Sequence, residues 1–184
     1  MFKRLTQNTL LQVLLVASVA FLTFLPTLEN FFYLDEWGNL YEWTHNHPYK
    51  YSIFTAHIFR LLFDNFHLIA TGYFAVGLIA YIFSVIIFYL FAGRLLKSNT
   101  LGVVAGLLYA TSPVGITTTT MVWTYIAEGG YLLNMMLLVL LYILLVYIQG
   151  KKILSLLLLF FLFMLFLELM PRRAFMFLPI LVLF

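Results

Sequence analysis

Residues 69–97 read IATGYFAVGLIAYIFSVIIFYLFAGRLLK, and this stretch decides the fold class. No charged side chain interrupts it before Arg94, and its apolar part matches the roughly 20 helical residues that cross the hydrocarbon core of a bilayer. Backbone N–H and C=O groups find no water there, so a crossing segment must satisfy them within a helix. We therefore predict a transmembrane helix over about 69–92, closed by Gly93 and the basic residues after it.

The composition extends this prediction to the whole chain. Its 184 residues are 64% hydrophobic and 9% charged, and the mean hydropathy is +1.04, which a soluble domain with a polar surface cannot carry. We predict an all-α, polytopic transmembrane helix bundle forming a single domain over 1–184, with about five full spans and the start of a sixth. The other spans are expected at about 9–27, 101–117, 130–149 and 153–169.

The two ends of the sequence carry separate expectations. The basic start, Met1 to Arg4, and the apolar run after it resemble a signal peptide without a clear cleavage site, so we expect a retained signal-anchor. The last apolar run, 174–184, is too short to cross a bilayer, so we expect the chain to be truncated there.

Charge and cysteine content exclude several classes of protein. The net charge is +3, but the basic residues form no cluster larger than a pair, which argues against a nucleic-acid partner. The absence of cysteine excludes disulfides and cysteine metal sites, and mildly favours a bacterial plasma membrane.

The distribution of charge predicts the orientation, because cytoplasmic loops collect Lys and Arg. With a cytoplasmic amino terminus, the inner set is Lys3, Arg4, Arg94, Lys97, Lys151 and Lys152. The outer set contains all seven acids: Glu29, Asp35, Glu36, Glu42, Asp64, Glu128 and Glu168. We predict a multi-pass protein of the plasma (inner) membrane in this orientation, in which the basic pair Arg172-Arg173 is an outer-face exception.

The first outer loop, 28–68, opens with adjacent carboxylates. Asp35 and Glu36 follow an aromatic segment suited to the membrane interface. Such a pair can supply a general base, can bind a divalent ion through hard oxygen ligands, or can be two ordinary acids in a wet loop. Glu42, His45 and His47 are too loosely spaced to define a metal site, so we assign no metal ligands and leave the cofactor open, with a divalent metal as one option.

The same loop contains an amphipathic segment over 54–67. His57, Arg60, Asp64 and His67 are spaced so that a helix places them on one narrow face, and apolar residues fill the rest. We predict an interfacial helix parallel to the membrane. The alternative is a helix that lines a binding site, with Arg60 or His57 turned inward.

Glu168, Arg172 and Arg173 interrupt two apolar runs at the outer face. Ionisable groups are costly at that depth and are presumed functional, and Pro171 is expected to break the helix between them. The forked donors of arginine suit phosphate oxygens, so the pair is a candidate site for a lipid-linked phosphate. Binding of ordinary lipid headgroups, or pairing with Glu168, is the alternative.

The layout resembles the amino-terminal half of the GT-C fold membrane glycosyltransferases, which include protein O-mannosyltransferases and aminoarabinose transferases. The matching stretches are FYLDEW at 32–37, GRLL at 93–96 with LLYATSP at 107–113, and 168–179. The resemblance implies transfer of a sugar, with inversion, from a polyprenyl-phosphate carrier to an acceptor at the non-cytoplasmic face. Asp35 would be the base or metal-associated residue, with Glu36 beside it. Family members often carry a Lys-Glu or similar charged pair where this chain has Pro171-Arg172-Arg173.

Two other functions fit the same residues. A transporter or flippase for a lipid or lipid-linked sugar would bind cargo with these charges and perform no chemistry, although transporters more often show broken helices at the bilayer midplane and inverted repeats. A non-catalytic membrane scaffold would tolerate changes at Asp35. Under the transferase hypothesis the partners are a polyprenyl-phosphate-linked sugar and membrane lipids, and Arg60, His57 and Glu168 join the arginine pair as candidate substrate-binding residues.

Overall fold

The computed structural model describes residues 9–32, 41, 53–112 and 131–169, with the side chains of 53–59, 131–133, 168 and 169 outside the description. These residues form helices and connecting turns and include no strand, which confirms the predicted all-helical class for this part of the chain. The helices are α1 Thr9–Phe24, α2 Ile53–Phe66, α3 Ala70–Leu95, α4 Asn99–Ala110, α5 Tyr131–Gly150 and α6 Ile153–Leu169. A 3-10 turn, Leu25–Glu29, extends α1.

Among the described residues, two helical segments are long and apolar enough to cross a membrane. They are Thr9–Glu29, with 21 residues, and Ala70–Leu95, with 26. Only 22% and 39% of their most apolar windows are buried inside the molecule, whereas the core helix of a soluble protein is mostly buried. Shorter apolar helices accompany them, and the larger bundle of about five spans remains a prediction.

Helix α3 is the centre of the packing and contacts α1, α2, α4 and α5. Its antiparallel relation to α1 is shown by paired side chains along both helices. The Tyr89 hydroxyl donates a buried hydrogen bond of 2.6 Å to Gln12 Oε1 near the start of α1. Phe24, at the end of α1, packs edge-on against Tyr81 with ring centroids 4.8 Å apart.

Helix α4 returns along α3 through a close backbone contact. A Cβ built on Gly102 would lie 2.7 Å from the Cα of Gly93, and one on Gly106 would lie 3.0 Å from the Cβ of Tyr89. At the far end of α4, the Tyr81 hydroxyl donates to the backbone oxygen of Tyr109 at 2.7 Å. The glycine pair of α4 therefore provides the helix approach that its spacing predicts.

The chain direction sorts the described charges between two ends of the molecule. Arg94 near the end of α3 contacts Gln149 near the end of α5, and α6 then runs back along α5 after a turn at Lys151 and Lys152. Arg94, Lys97, Lys151 and Lys152 thus lie at one end, here called the basic end. The opposite end, where Phe32, Phe66 and Tyr73 meet, is called the aromatic end.

Helix boundaries follow local chemistry and correct the bounds predicted at 101–117. The α-helical part of α1 stops at Phe24 because Pro26 has no N–H to donate, and the chain continues as the 3-10 turn. Helix α4 starts at Asn99, two residues earlier than predicted, because the Ser98 side chain accepts a hydrogen bond from Leu101 N. It ends at Ala110 rather than near 117, since the residue before Pro113 is disfavoured in a helix.

Candidate functional site

Helix α2 is attached to the aromatic end through its apolar side. Leu62 is buried, Phe63 and Phe66 are partly buried, and the Phe66 ring lies 5.8 Å from that of Tyr73. On its other side Tyr73 packs against Phe32, with ring centroids 5.4 Å apart. The aromatic cluster Phe32, Phe66 and Tyr73 therefore ties the chain after α1 and the end of α2 to the start of α3.

The elbow between α2 and α3 depends on two local features. His67 adopts a left-handed backbone with φ 48°, and its N–H caps α2 by donating to Phe63 O at 2.8 Å. The Tyr73 hydroxyl donates to the backbone oxygen of His67 at 2.9 Å. A Cβ on Gly72 would collide with the ring of Phe66, so glycine is what lets that ring lie against α3. No motif or spacing in the sequence marks Gly72 and Tyr73 as the residues that position α2.

The polar stripe of α2 points away from the rest of the molecule where its side chains are described. Arg60 Nε lies 3.7 Å from Asp64 Oδ2, and these two side chains are 80% and 63% exposed. His67 is also exposed. The predicted helix is confirmed at Ile53–Phe66, and of its two interpretations the outward position of Arg60 favours a surface helix. The side chain of His57 lies outside the described part.

Helix α6 brings a second candidate residue to the same end. Because α6 runs antiparallel to α5 from the basic end, its last turn approaches the aromatic end, about 25 Å away for a 17-residue helix. Contacts between α6 and α2 agree with this direction. The backbone of Glu168 belongs to that last turn, whereas its side chain is not described. The helix of Glu168 and the helix of His57 and Arg60 are therefore neighbours.

The remaining candidates cannot be placed in this arrangement. Asp35, Glu36, Arg172 and Arg173 lie outside the described residues. Within the described part of the chain, no group of three His, Asp or Glu residues could hold a metal ion. What the structure brings together at the aromatic end is a surface helix with an exposed ion pair, an aromatic cluster and the last turn of α6.

The basic end contains a contact that the sequence did not predict. Arg94 Nε donates a hydrogen bond of 2.6 Å to Gln149 Oε1, and the Arg94 guanidinium carbon lies 5.8 Å from the centroid of the Tyr142 ring. These partners are far apart along the chain, so only the packing of α3 against α5 brings them together.

Comparison with known proteins identifies no relative: no family model, curated protein or solved structure matches this chain.

Proposed function

We propose that the chain is a multi-pass membrane protein whose basic end faces the cytoplasm. The carrying observation is the separation of charge along the helices. Arg94, Lys97, Lys151 and Lys152 lie at the basic end, whereas Glu29 and the Arg60–Asp64 pair belong to segments at the aromatic end. Positive charge is retained on the cytoplasmic side during insertion, so this separation supports an amino terminus in the cytoplasm.

The outward surface of the helices supports lipid as the solvent. On α6, large apolar side chains are half or more exposed at Ile153, Leu154, Leu157, Phe160, Phe161 and Met164. A continuous apolar face of this kind is rare on a monomeric soluble protein and is ordinary where acyl chains cover it. Helices α4, α5 and α6 join α1 and α3 as membrane-embedded helices in this proposal.

The proposed activity is transfer of a sugar from a polyprenyl-phosphate carrier to an acceptor hydroxyl at the aromatic end, the chain being a membrane portion of the transferase. This part of the proposal comes from the resemblance of 32–37, 93–96, 107–113 and 168–179 to GT-C glycosyltransferases. The contact between α2 and α6 supports it, because both helices carry candidate residues. Chain connectivity limits how far two candidates can lie from described residues. Asp35 follows Phe32 by three residues and Arg172 follows Leu169 by three, and three residues span at most about 11 Å.

In the proposed reaction, Asp35 acts as the base and the two arginines stabilise the leaving phosphate. Asp35 accepts the proton of the acceptor hydroxyl as the new bond from that oxygen to the anomeric carbon forms. The bond from the anomeric carbon to the carrier phosphate breaks with inversion, and both its electrons stay with the phosphate. Arg172 and Arg173 neutralise this departing charge through forked N–H donors. Glu36, Glu168, His57 and Arg60 border the substrate rather than react.

The activity is tested by substitution in the full-length protein. Asp35→Asn, assayed in membranes with a labelled polyprenyl-phosphate sugar, should lower transfer by about 100-fold or more, because it removes the base without changing side-chain size. Glu29→Gln is the matched control, since it neutralises an acid at the same end, and it should leave transfer unchanged. Arg172→Ala and Arg173→Ala should chiefly weaken binding of the carrier.

Two experimental outcomes would contradict the proposed transferase activity. Full transfer by Asp35→Asn would remove that residue from the chemistry. A protein that moves the lipid-linked sugar across vesicle membranes without forming product would be a flippase.

A further inference from the structure

The contact between Arg94 and α5 fixes a guanidinium group at the basic end. Its Nε is used by Gln149 at 2.6 Å, and one face lies over the Tyr142 ring at 5.8 Å. A hydrogen bond at one edge and a ring below one face together limit the rotamers of an otherwise flexible side chain. Arg94 is therefore oriented by two residues of a different helix.

The positive charge at this end has no described negative partner. Among the side chains described in 9–32, 60–112 and 134–167, the ion pair is Arg60–Asp64, at the opposite end. Within those same ranges, the terminal nitrogens of Arg94 contact no acceptor. Lys97 and Lys151 are exposed in left-handed turns with φ 51° and 49°, at the ends of the two helices that hold Arg94. Lys97 thus lies three residues after Arg94, and Lys151 lies two residues after its partner Gln149.

Exposed apolar side chains adjoin these cations. Leu95 is 53% exposed beside Arg94, Ile148 is 38% exposed beside Gln149, and Ile153 is 68% exposed after Lys152. A free inorganic anion makes no favourable contact with these apolar side chains. A lipid does, because its phosphate can contact the cations while its acyl chains cover the apolar residues.

We propose that the basic end binds the phosphate of an anionic phospholipid, with Arg94 as the forked donor and Lys97 and Lys151 as flanking cations. This inference rests on the proposed placement of the basic end at the cytoplasmic leaflet and is independent of the proposed sugar transfer. Gln149 and Tyr142 are positioning residues, since they orient Arg94 and do not themselves need to contact the lipid.

The test uses substitutions that leave the net charge of the protein unchanged. Gln149→Leu and Tyr142→Leu each remove one support of Arg94, and Arg94→Lys keeps the charge but loses the fork. Binding of phosphatidylglycerol to the purified full-length protein in detergent is measured by native mass spectrometry, with phosphatidylcholine as the reference lipid. Each variant should weaken phosphatidylglycerol binding by about fivefold, the effect of losing roughly one hydrogen bond from the fork to the phosphate, and leave phosphatidylcholine unchanged. Asn65→Leu, which replaces an exposed polar side chain by leucine at the opposite end, should change neither.

Three results would overturn the inference. Equal binding by the three variants and the unchanged protein would mean that net charge alone attracts the lipid. Loss of phosphatidylglycerol binding in Asn65→Leu would place the site elsewhere. Competition by millimolar inorganic phosphate would identify a site for the free anion. Because the assay involves neither sugar transfer nor a sealed membrane, its failure is distinct from failure of the activity or of the orientation.

Discussion

Gly93 and Gly102 face each other where α3 and α4 cross, yet they should respond differently to an added methyl group. A Cβ on Gly102 would lie 2.7 Å from Gly93 Cα, a backbone atom that cannot move without separating the helices. A Cβ on Gly93 would meet nothing closer than 3.7 Å. Gly102→Ala should therefore lower the free energy of unfolding by about 1–3 kcal/mol. Gly93→Ala should be neutral or stabilise by up to about 1 kcal/mol, since alanine favours a helix.

Unfolding of the purified protein in mixed detergent micelles measures both effects. Gly150→Ala serves as an open-site control, because a Cβ there would approach only the Lys152 side chain, at 3.8 Å. Equal losses for Gly93→Ala and Gly102→Ala would contradict the close contact as described.

His67 offers a second test at the scale of one residue. Its φ of 48° is a left-handed conformation that costs a side-chain-bearing residue roughly 1–2 kcal/mol and costs glycine little. His67→Gly should therefore be more stable than His67→Ala by about 1 kcal/mol, as measured by thermal unfolding. The comparison cancels the loss of the imidazole, which both variants share. Higher stability of the alanine variant would argue against a left-handed elbow.

What the sequence could predict at this scale was the spacing of glycines, not their partners. Gly102 and Gly106 stand one turn apart and so signal a close helix approach. The contact between Gly93 and Gly102 and the hydrogen bond between Tyr89 and Gln12 both depend on how α1, α3 and α4 cross. No local sequence pattern encodes that crossing.

At the scale of elements, apolar runs predicted where helices occur, whereas the helix ends depend on capping side chains and on prolines. The prediction of 153–169 agrees with α6, because Lys152 and the change of composition after it mark the start. The span predicted at 101–117 was placed too late at both ends. An apolar count ignores the Ser98 cap and the effect of Pro113 on the preceding residue.

The placement of α2 predicts which of its residues are exposed to water. Leu62 is buried, Phe66 is partly buried, and Arg60, Asp64 and His67 are exposed. Spin labels placed singly along 60–67 should show exposure to a water-soluble relaxation agent with a 3.6-residue period, highest at Arg60, Asp64 and His67. The label at Leu62 should be the least exposed. A two-residue period, or uniform exposure, is incompatible with a helix lying on the aromatic end.

At the scale of the whole molecule, the charge count predicted which residues would share an end. The inner set of the sequence analysis and the described residues of the basic end coincide at Arg94, Lys97, Lys151 and Lys152. The charge count could not predict the candidate site in the same way. It places Asp35 and the arginine pair at the same depth in the membrane, but catalysis also requires them to be close together in the membrane plane. That closeness stays a prediction, since these residues lie outside the described ranges.

In the proposed orientation, the basic and aromatic ends lie on opposite sides of a membrane, with the basic end in the cytoplasm. The chain contains no cysteine, so single cysteines can be introduced without background. Thr100 and Gly150 are exposed at the basic end, whereas Glu29 and Asn65 are exposed at the aromatic end. In intact cells, a membrane-impermeant thiol reagent should label cysteine at Glu29 and Asn65 and should reach Thr100 and Gly150 only after the cells are permeabilised. Labelling of Thr100 and Gly150 in intact cells, with Glu29 and Asn65 protected, would reverse the orientation, and labelling of all four positions in intact cells would contradict a membrane-spanning protein.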